Sequence, residues 1–96
     1  MDQALLTVTI KKPGETIFSG TANAVSSVTE RGKFDVLPLH ANFIALIKEV
    51  VTIHQDNQKP TIIPIKTGVI KVKENIVKII LGIETKVDTA GTTKTE

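Results

Sequence analysis

The chain has 96 residues, a net charge of +2 and no cysteine, which predicts one domain without disulfides or thiolate metal sites. Valine, isoleucine and threonine together supply 36 residues, and these β-branched side chains favour strands. With three phenylalanines as its only aromatic residues, the chain is poorly suited to base stacking, and its small positive charge does not indicate nucleic-acid binding.

Two features of the sequence bear on where the protein is located in the cell. No apolar run approaches the roughly 20 residues that cross a bilayer. The beginning of the chain, Met1 to Ala4, lacks the basic region of a secretory signal. The sequence therefore predicts a soluble cytoplasmic protein.

Apolar and polar side chains alternate over 6–11, which predicts a strand, and short apolar segments predict further strands at 16–19, 24–29 and 34–37. Turns are predicted at Lys12–Glu15, where proline and glycine are adjacent, and at the polar tip Glu30–Lys33. Gly20 indicates a bulge or a close backbone approach.

The segment His40–Val51 is ambiguous. Its apolar residues fall at helical spacing and it contains two alanines, which favours a helix, while its surroundings favour a strand. From the residues alone, both alternatives stay open.

The second half continues with alternating segments. Pro64 places its strand at an edge or a bulge, because proline cannot donate a ladder hydrogen bond. In Ile76–Ile83, apolar residues stand at both odd and even positions, which point to opposite faces of a strand. This predicts a central strand covered on both faces. The lysines of this region most simply solvate the outer face, with a basic docking stripe as the alternative; they are Lys66, Lys71, Lys73 and Lys78.

The composition changes after Glu84, where threonines and charges dominate. We therefore expect a folded domain over 1–85 and a disordered tail over 86–96. Many short strands with frequent turn signals predict an all-β sandwich or a small barrel.

Candidate catalytic groups are few. The serines are Ser19, Ser26 and Ser27, the histidines are His40 and His54, and nothing in the sequence pairs a serine with a histidine. His54 and Asp56 stand two residues apart, but two ligands are too few for a closed metal site. The residues alone thus predict no catalytic site and no metal site, and favour a binding or structural module.

One stretch carries a family resemblance. Residues 17–47 read IFSGTANAVSSVTERGKFDVLPLHANFIALI, which resembles the N-terminal domain of the epsilon subunit of F-type ATP synthase (delta in mitochondria). The matching positions are Phe18, Gly20, Gly32, Phe34, Val36, Leu37, Pro38, His40 and Ala41. Further on, Gly68 and its neighbours in 67–72 resemble the family's Gly-Gly-aliphatic segment, and 76–79 its last strand.

The chain also departs from the family pattern. Lys33 stands where the family usually has glutamate, and the family's Pro-Gly turn is absent at Lys48–Glu49. Further replacements are Asp35, Leu39 and Thr67 for glycines and Asn42 for a proline. The family's C-terminal helical hairpin, which inhibits ATP hydrolysis and in some members binds ATP, would begin where this sequence ends, so neither property is expected.

The resemblance implies a two-sheet sandwich of about ten short strands, with 40–51 as loop plus strand. It implies a non-catalytic rotor subunit without cofactors, located between the gamma subunit and the membrane-embedded c ring. The tip Glu30, Arg31, Gly32 and Lys33 would face the ring, and Lys12 and His40 would lie near gamma.

Plainer roles are available for these residues. The tip can be an ordinary solvated hairpin, and His40 can simply cap a turn after Pro38. The protein would associate with the cytoplasmic face of the membrane only through the complex. The alternative function is a free-standing adaptor of the same fold, and the weakest one is a small enzyme or metal protein built on His40 and His54.

Overall fold

The computed structural model describes residues 5–82, and every regular element in them is a strand. The strands are β1 (Leu6–Lys12), β2 (Glu15–Ala22), β3 (Ala24–Thr29), β4 (Gly32–Val36), β5 (Phe43–His54), β6 (Thr61–Lys73) and β7 (Ile76–Leu81). The all-β prediction is confirmed. Seven strands replace the expected ten or so, because β5 and β6, with 12 and 13 residues, each run through segments that the sequence divides.

The seven strands form one hydrogen-bonded series in the order β2-β1-β7-β6-β5-β3-β4. The β1–β7 pair is parallel and the other pairs are antiparallel. The β5–β6 ladder joins the two parts of the series and is interrupted by a bulge at Lys48/Glu49, where Glu49 has a φ of 74°. Bulges bend and twist strands, so one continuous ladder can serve both layers of a sandwich.

The core draws on both sides of this bulge. The buried side chains of one part come from β1, β6 and β7, with Ala22 of β2 and Ile47 of the first half of β5, and those of the other part come from β3, β4 and the second half of β5. The buried apolar residues include Leu6, Val8, Ile10, Val25, Val36, Ile47, Val51, Ile53, Ile70, Val72, Val77 and Ile79. Isoleucine and valine predominate, as the β-branched composition requires of a sheet-on-sheet core.

The tight turns have the backbone angles that their residues favour. Pro13 and Gly14 connect β1 to β2, and Gly14 has a φ of 77°. Glu74 and Asn75 connect β6 to β7 with φ values of 52° and 65°, and this pair of positive angles matches the twist of the flanking strands.

The ambiguous segment forms a loop followed by a strand. Residues 40–42 lack regular structure and β5 begins at Phe43, as the family resemblance implies. Phe43, Ala45 and Ile47 pack toward the core, while Ile44 and Leu46 are exposed. The apolar residues that suggested a helix therefore belong to both faces of one strand.

The prediction that β7 is covered on both faces is wrong. Val77, Ile79 and Leu81 are buried, whereas Ile76 and Ile80 are about half exposed on the opposite face. β7 is central in the strand order, but only one of its faces meets the core.

Pro64 behaves as predicted. Its half of β6 pairs with β5 alone, because pairing with β7 begins at Gly68. The four lysines of the region, at 66, 71, 73 and 78, are exposed, as expected of an outer face.

Two glycines of the family motif, Gly20 and Gly68, have steric roles inside strands. A Cβ at Gly20 would lie 3.4 Å from the ring of Phe18, which covers this glycine, while the β1–β2 irregularity falls at Ile10/Lys11. A Cβ at Gly68 would lie 2.8 Å from the Leu81 Cδ2 and 2.9 Å from the Ile80 carbonyl oxygen. Gly68 is therefore required by the close approach of β6 to β7. The predicted tail, 86–96, lies outside the described residues.

We expect Gly68→Ala to lower the free energy of unfolding by about 1–3 kcal/mol, the usual cost of adding a methyl group to a packed site that must shift. Urea denaturation followed by circular dichroism measures this loss. Gly20→Ala is the matched control, because its new methyl group meets only a ring at 3.4 Å and should cost less. Equal losses in the two variants would contradict the close approach at Gly68.

Candidate functional site

The tip between β3 and β4 is an ordered hairpin. Its four residues, Glu30, Arg31, Gly32 and Lys33, are exposed. The backbone N–H of Arg31 donates to the Thr29 hydroxyl at 3.1 Å, and Gly32 has a φ of 120°, a conformation that glycine adopts readily. The backbone is thus held by Thr29 and Gly32, which leaves the side chains of Glu30, Arg31 and Lys33 available to solvent or to a partner.

Lys12 is the last residue of β1, beside the Pro13–Gly14 turn. Its ammonium group lies 3.4 Å from the Glu15 carboxylate, and both side chains are half exposed or more. Such a surface pair contributes little to stability. Lys12 can therefore leave Glu15 and contact a partner with little loss of folding free energy.

His40 lies in the loop between β4 and β5. Its backbone N–H donates to the Leu37 carbonyl at 3.1 Å and closes the turn that contains Pro38. Its ring Nδ1 donates to the Ala41 carbonyl at 2.7 Å, and the ring packs on Phe43 with a centroid distance of 5.0 Å. Phe43 in turn meets Phe34 edge to face. The turn-capping role is thus present, and the ring is also half-exposed.

The same turn holds Leu39 in an unusual backbone conformation. Its φ is 69°, in the left-handed region, and its side chain is 84% exposed. A positive φ at the third residue is the mark of a type II turn, in which proline is common at the second position and glycine adopts the third without strain. The Asn75 side chain holds the turn by accepting a 2.7 Å hydrogen bond from the Leu39 N–H.

Leu39 and Glu49 share a property. Both stand where the resembled family has glycine, and both have the positive φ that a glycine would provide, at 69° and 74°. The left-handed backbone is therefore present at the turn and at the β5 bulge although neither residue is a glycine. The preceding prolines of the resembled family differ in this respect. Pro38 is present in this chain, whereas Lys48 stands at the position of the family's second proline.

The candidate positions do not form one cluster. Lys12 ends β1, whereas the His40 turn is joined through Asn75 to Thr7 near the beginning of that strand. Five residues of strand, about 17 Å, separate those two ends. The tip and the His40 turn likewise lie at opposite ends of β4.

The structure pairs a serine with a histidine, which the sequence did not predict. The Ser26 Oγ lies 3.0 Å from the His54 Nε2 and donates to the Asp35 Oδ1 at 2.6 Å. The pairing arises because β3 lies between β4 and β5, with Ser26 opposite Asp35 and Ala24 opposite His54. Such a register between distant segments cannot be read from local sequence.

This trio is not arranged as a catalytic triad. The hydroxyl proton of Ser26 points to Asp35, so His54 acts as donor to Ser26 and does not accept its proton. Asp35 contacts the serine, whereas a triad carboxylate orients the histidine. The contacts fit a polar link across three strands.

Of the other two serines, Ser19 is exposed, and Ser27 is buried with its hydroxyl donating to the Val50 carbonyl at 2.7 Å. Residues 5–82 bring no three metal-ligating side chains together, so His54 and Asp56 gain no third ligand there. In the same residues there is no helix long and apolar enough to cross a membrane.

These features define the class of protein: a small all-β sandwich domain whose candidate residues lie at hairpin tips and strand ends. Residues 5–82 match the model of the ATP synthase delta/epsilon chain β-sandwich domain. The chain is also 35% identical over 92 residues to the ATP synthase epsilon chain of Nitratiruptor sp., covering 95% of this chain and 70% of that relative. The chain belongs to the ATP synthase delta/epsilon β-sandwich family.

Solved structures show the same fold at low identity. A chain of the Euglena gracilis mitochondrial ATP synthase matches with a TM-score of 0.76 and 20% identity, covering 82% of this chain and 51% of that one. A chain of the Tetrahymena thermophila mitochondrial ATP synthase central stalk and c ring matches with a TM-score of 0.68 and 12% identity, covering 92% and 75%. This protein thus spans about half the length of the Euglena chain.

We expect Leu39→Gly to raise the free energy of unfolding by up to about 1 kcal/mol. The substitution removes a left-handed penalty of about 1–2 kcal/mol and adds a smaller entropic cost. Chemical denaturation measures the change. Leu37→Gly is the control, because this exposed leucine has no left-handed backbone to relieve and should only lose stability. A destabilised Leu39→Gly variant would show that the leucine side chain stabilises the turn.

Proposed function

We propose that this chain is a non-catalytic rotor subunit of an F-type ATP synthase, which couples the gamma subunit to the c ring during proton-driven ATP synthesis. Its location would be the cytoplasmic face of the membrane, where it is held by the complex. Membership of the delta/epsilon family supports this assignment. The two solved relatives come from assemblies described as containing a c ring.

The observation that carries the proposal is the placement of the two candidate contacts on β4. The tip, proposed to face the ring, lies at the beginning of this strand, and the His40 turn, proposed to face gamma, follows its end. β4 pairs with β3 from Val25–Val36 through Thr29–Gly32. A load applied at one end is therefore transmitted along a hydrogen-bonded hairpin to the other.

A domain that transmits torque must be rigid. The buried side chains of both sandwich layers form one core cluster, and the close packing of protein interiors makes such a cluster stiff. The hairpin turns between β1 and β2, β3 and β4, and β6 and β7 contain two residues each, which limits bending outside the core.

The proposed gamma surface extends along β1. Lys12 and the His40 turn lie near opposite ends of this strand, so a partner that contacts both must cover about 17 Å of it. One globular subunit can do this, because an ordinary interface covers about 800 Å² on each partner.

We expect the wild-type chain to form a stable complex when it is co-expressed with the gamma subunit of the same organism and separated by size-exclusion chromatography. The double variant Lys12→Ala/His40→Ala should weaken the complex by about tenfold or more, because it removes contacts at both ends of the surface. Lys59→Ala, in the β5–β6 loop, is the control for loss of a lysine.

Unfolding curves of the double variant separate a lost contact from a lost fold. Failure of the wild-type chain to bind gamma would favour the free-standing adaptor. Binding that is unchanged in a folded double variant would contradict the two gamma positions and leave the rotor assignment intact.

We expect Arg31→Ala/Lys33→Ala at the tip to reduce proton-driven ATP synthesis several-fold in membrane vesicles that contain the assembled enzyme, while the gamma complex persists. Both side chains are exposed, and the backbone of the tip is held by other residues. Synthesis at the wild-type rate would show that the tip is a solvated hairpin.

A further inference from the structure

Leu39, in the turn between β4 and β5, is a large apolar side chain that the described residues leave uncovered. It is 84% exposed, the highest value among the large hydrophobic residues of 5–82. Single exposed hydrophobic residues are ordinary on protein surfaces, so exposure alone carries little weight. The backbone sets this leucine apart, because its φ of 69° is an angle that leucine adopts only at a cost in free energy.

Two asparagine side chains fix this turn to the neighbouring turn between β6 and β7. The Leu39 N–H donates to the Asn75 Oδ1 at 2.7 Å, and the Glu74 N–H donates to the Asn42 Oδ1 at 3.1 Å. Each turn thus donates one hydrogen bond to the other, and the position of Leu39 is set by both. A residue that is held in place before it binds loses little conformational freedom on binding.

The strain at Leu39 serves no contact inside the domain. The leucine is absent from the buried core cluster and from the apolar residues packed against it. The resembled family has glycine at this position, which gives the same backbone conformation without strain. Strain of this kind is typical of functional sites, where the surrounding structure maintains it. The leucine side chain is therefore suited to a contact outside the domain.

We infer that Leu39 is an apolar anchor of the proposed gamma interface, and that its side chain enters an apolar pocket of the gamma subunit. The inference rests on the proposed function and adds one contact to it, since the next residue, His40, is a proposed gamma position. Burial of an exposed leucine side chain strengthens an association by about tenfold to a hundredfold. A gamma subunit without such a pocket would clash with the leucine, so Leu39 also selects which gamma subunit is accepted.

The c ring and the surrounding lipid fit Leu39 less well as partners. The tip that is proposed to face the ring lies at the beginning of β4, whereas the Leu39 turn follows the end of this strand. A leucine at that end points to the partner on the other side of the domain, which in the proposed assembly is gamma.

The test is a competition for the gamma subunit of the same organism. Gamma is co-expressed with an isotopically labelled wild-type chain, and the purified complex is incubated to equilibrium with an excess of an unlabelled variant. Mass spectrometry of the chains that elute with gamma in size-exclusion chromatography gives the ratio of the two affinities. We expect Leu39→Gly and Leu39→Asn to bind at least about tenfold more weakly than the wild type.

These two variants keep the turn while they remove the apolar side chain, because glycine and asparagine tolerate the left-handed conformation. Leu39→Met keeps an apolar side chain of similar size and should bind within about threefold of the wild type. Ile62→Asn is the control for loss of exposed apolar surface. It lies on the half of β6 that pairs with β5 alone, is 64% exposed, and should bind gamma as the wild type does.

Unfolding curves separate an anchor from a structural leucine. An anchor gives opposite changes in Leu39→Gly, with weaker gamma binding and a fold at least as stable as the wild type, because the backbone strain is relieved. A leucine that only stabilises the turn would give a less stable variant whose folded form binds gamma normally.

The results that would overturn the inference are distinct from those that would overturn the rotor assignment. Equal binding by the wild type, Leu39→Gly and Leu39→Asn would remove the anchor and leave the rotor assignment standing. A Leu39→Met variant as weak as Leu39→Asn would contradict an apolar pocket. Absence of any gamma complex with the wild-type chain would overturn both proposals. Self-association of the free wild-type chain that Leu39→Asn abolishes would assign the leucine to a second copy of this chain instead.

Discussion

The β5–β6 ladder is the interaction on which the rest of the structure depends. It runs from the pair Phe43 and Val72 to the pair Ile53 and Thr61, and no other ladder touches both layers of the core. β7 and β1 attach to one half of it, and β3 and β4 attach to the other. The bulge at Lys48/Glu49 lets one ladder serve both, and Gly68 keeps the strands close beside that bend.

This arrangement explains why the candidate contacts are far apart within a small domain. The candidate positions lie at both ends of two strands. The tip and the His40 turn lie at the two ends of β4, and Lys12 and Asn75 lie at the two ends of β1. These positions are connected by strands and a shared core and do not contact one another directly. A subunit that links two larger bodies needs this separation, whereas an enzyme active site needs convergence.

The sequence predicted those strands and turns that depend on neighbouring residues alone. Alternation located β1, and Pro13–Gly14 located the first turn. The link from Ser26 to His54 was missed because it depends on the register of β3 with β5. The exposed outer face of β7, which carries Ile76 and Ile80, was missed because apolar residues at both odd and even positions of this strand were interpreted as burial on both faces, while exposure depends on what the second layer covers. The tip was located from sequence, and the left-handed conformation of Leu39 was signalled only by the glycine of the resembled family at that position.

The parallel pairing of β1 with β7 has a consequence for synthesis on the ribosome. Thr7 of β1 pairs with Ile76 of β7, and these are the first and the last strands of the described residues. β1 can therefore pair with its second neighbour only after β7 has been synthesised. Until then the β1–β2 hairpin can form, but β1 exposes an unpaired edge and the apolar side chains of Leu6, Val8 and Ile10. Contacts between such distant residues slow folding. We therefore expect the nascent domain to remain a chaperone client until nearly the whole chain has emerged.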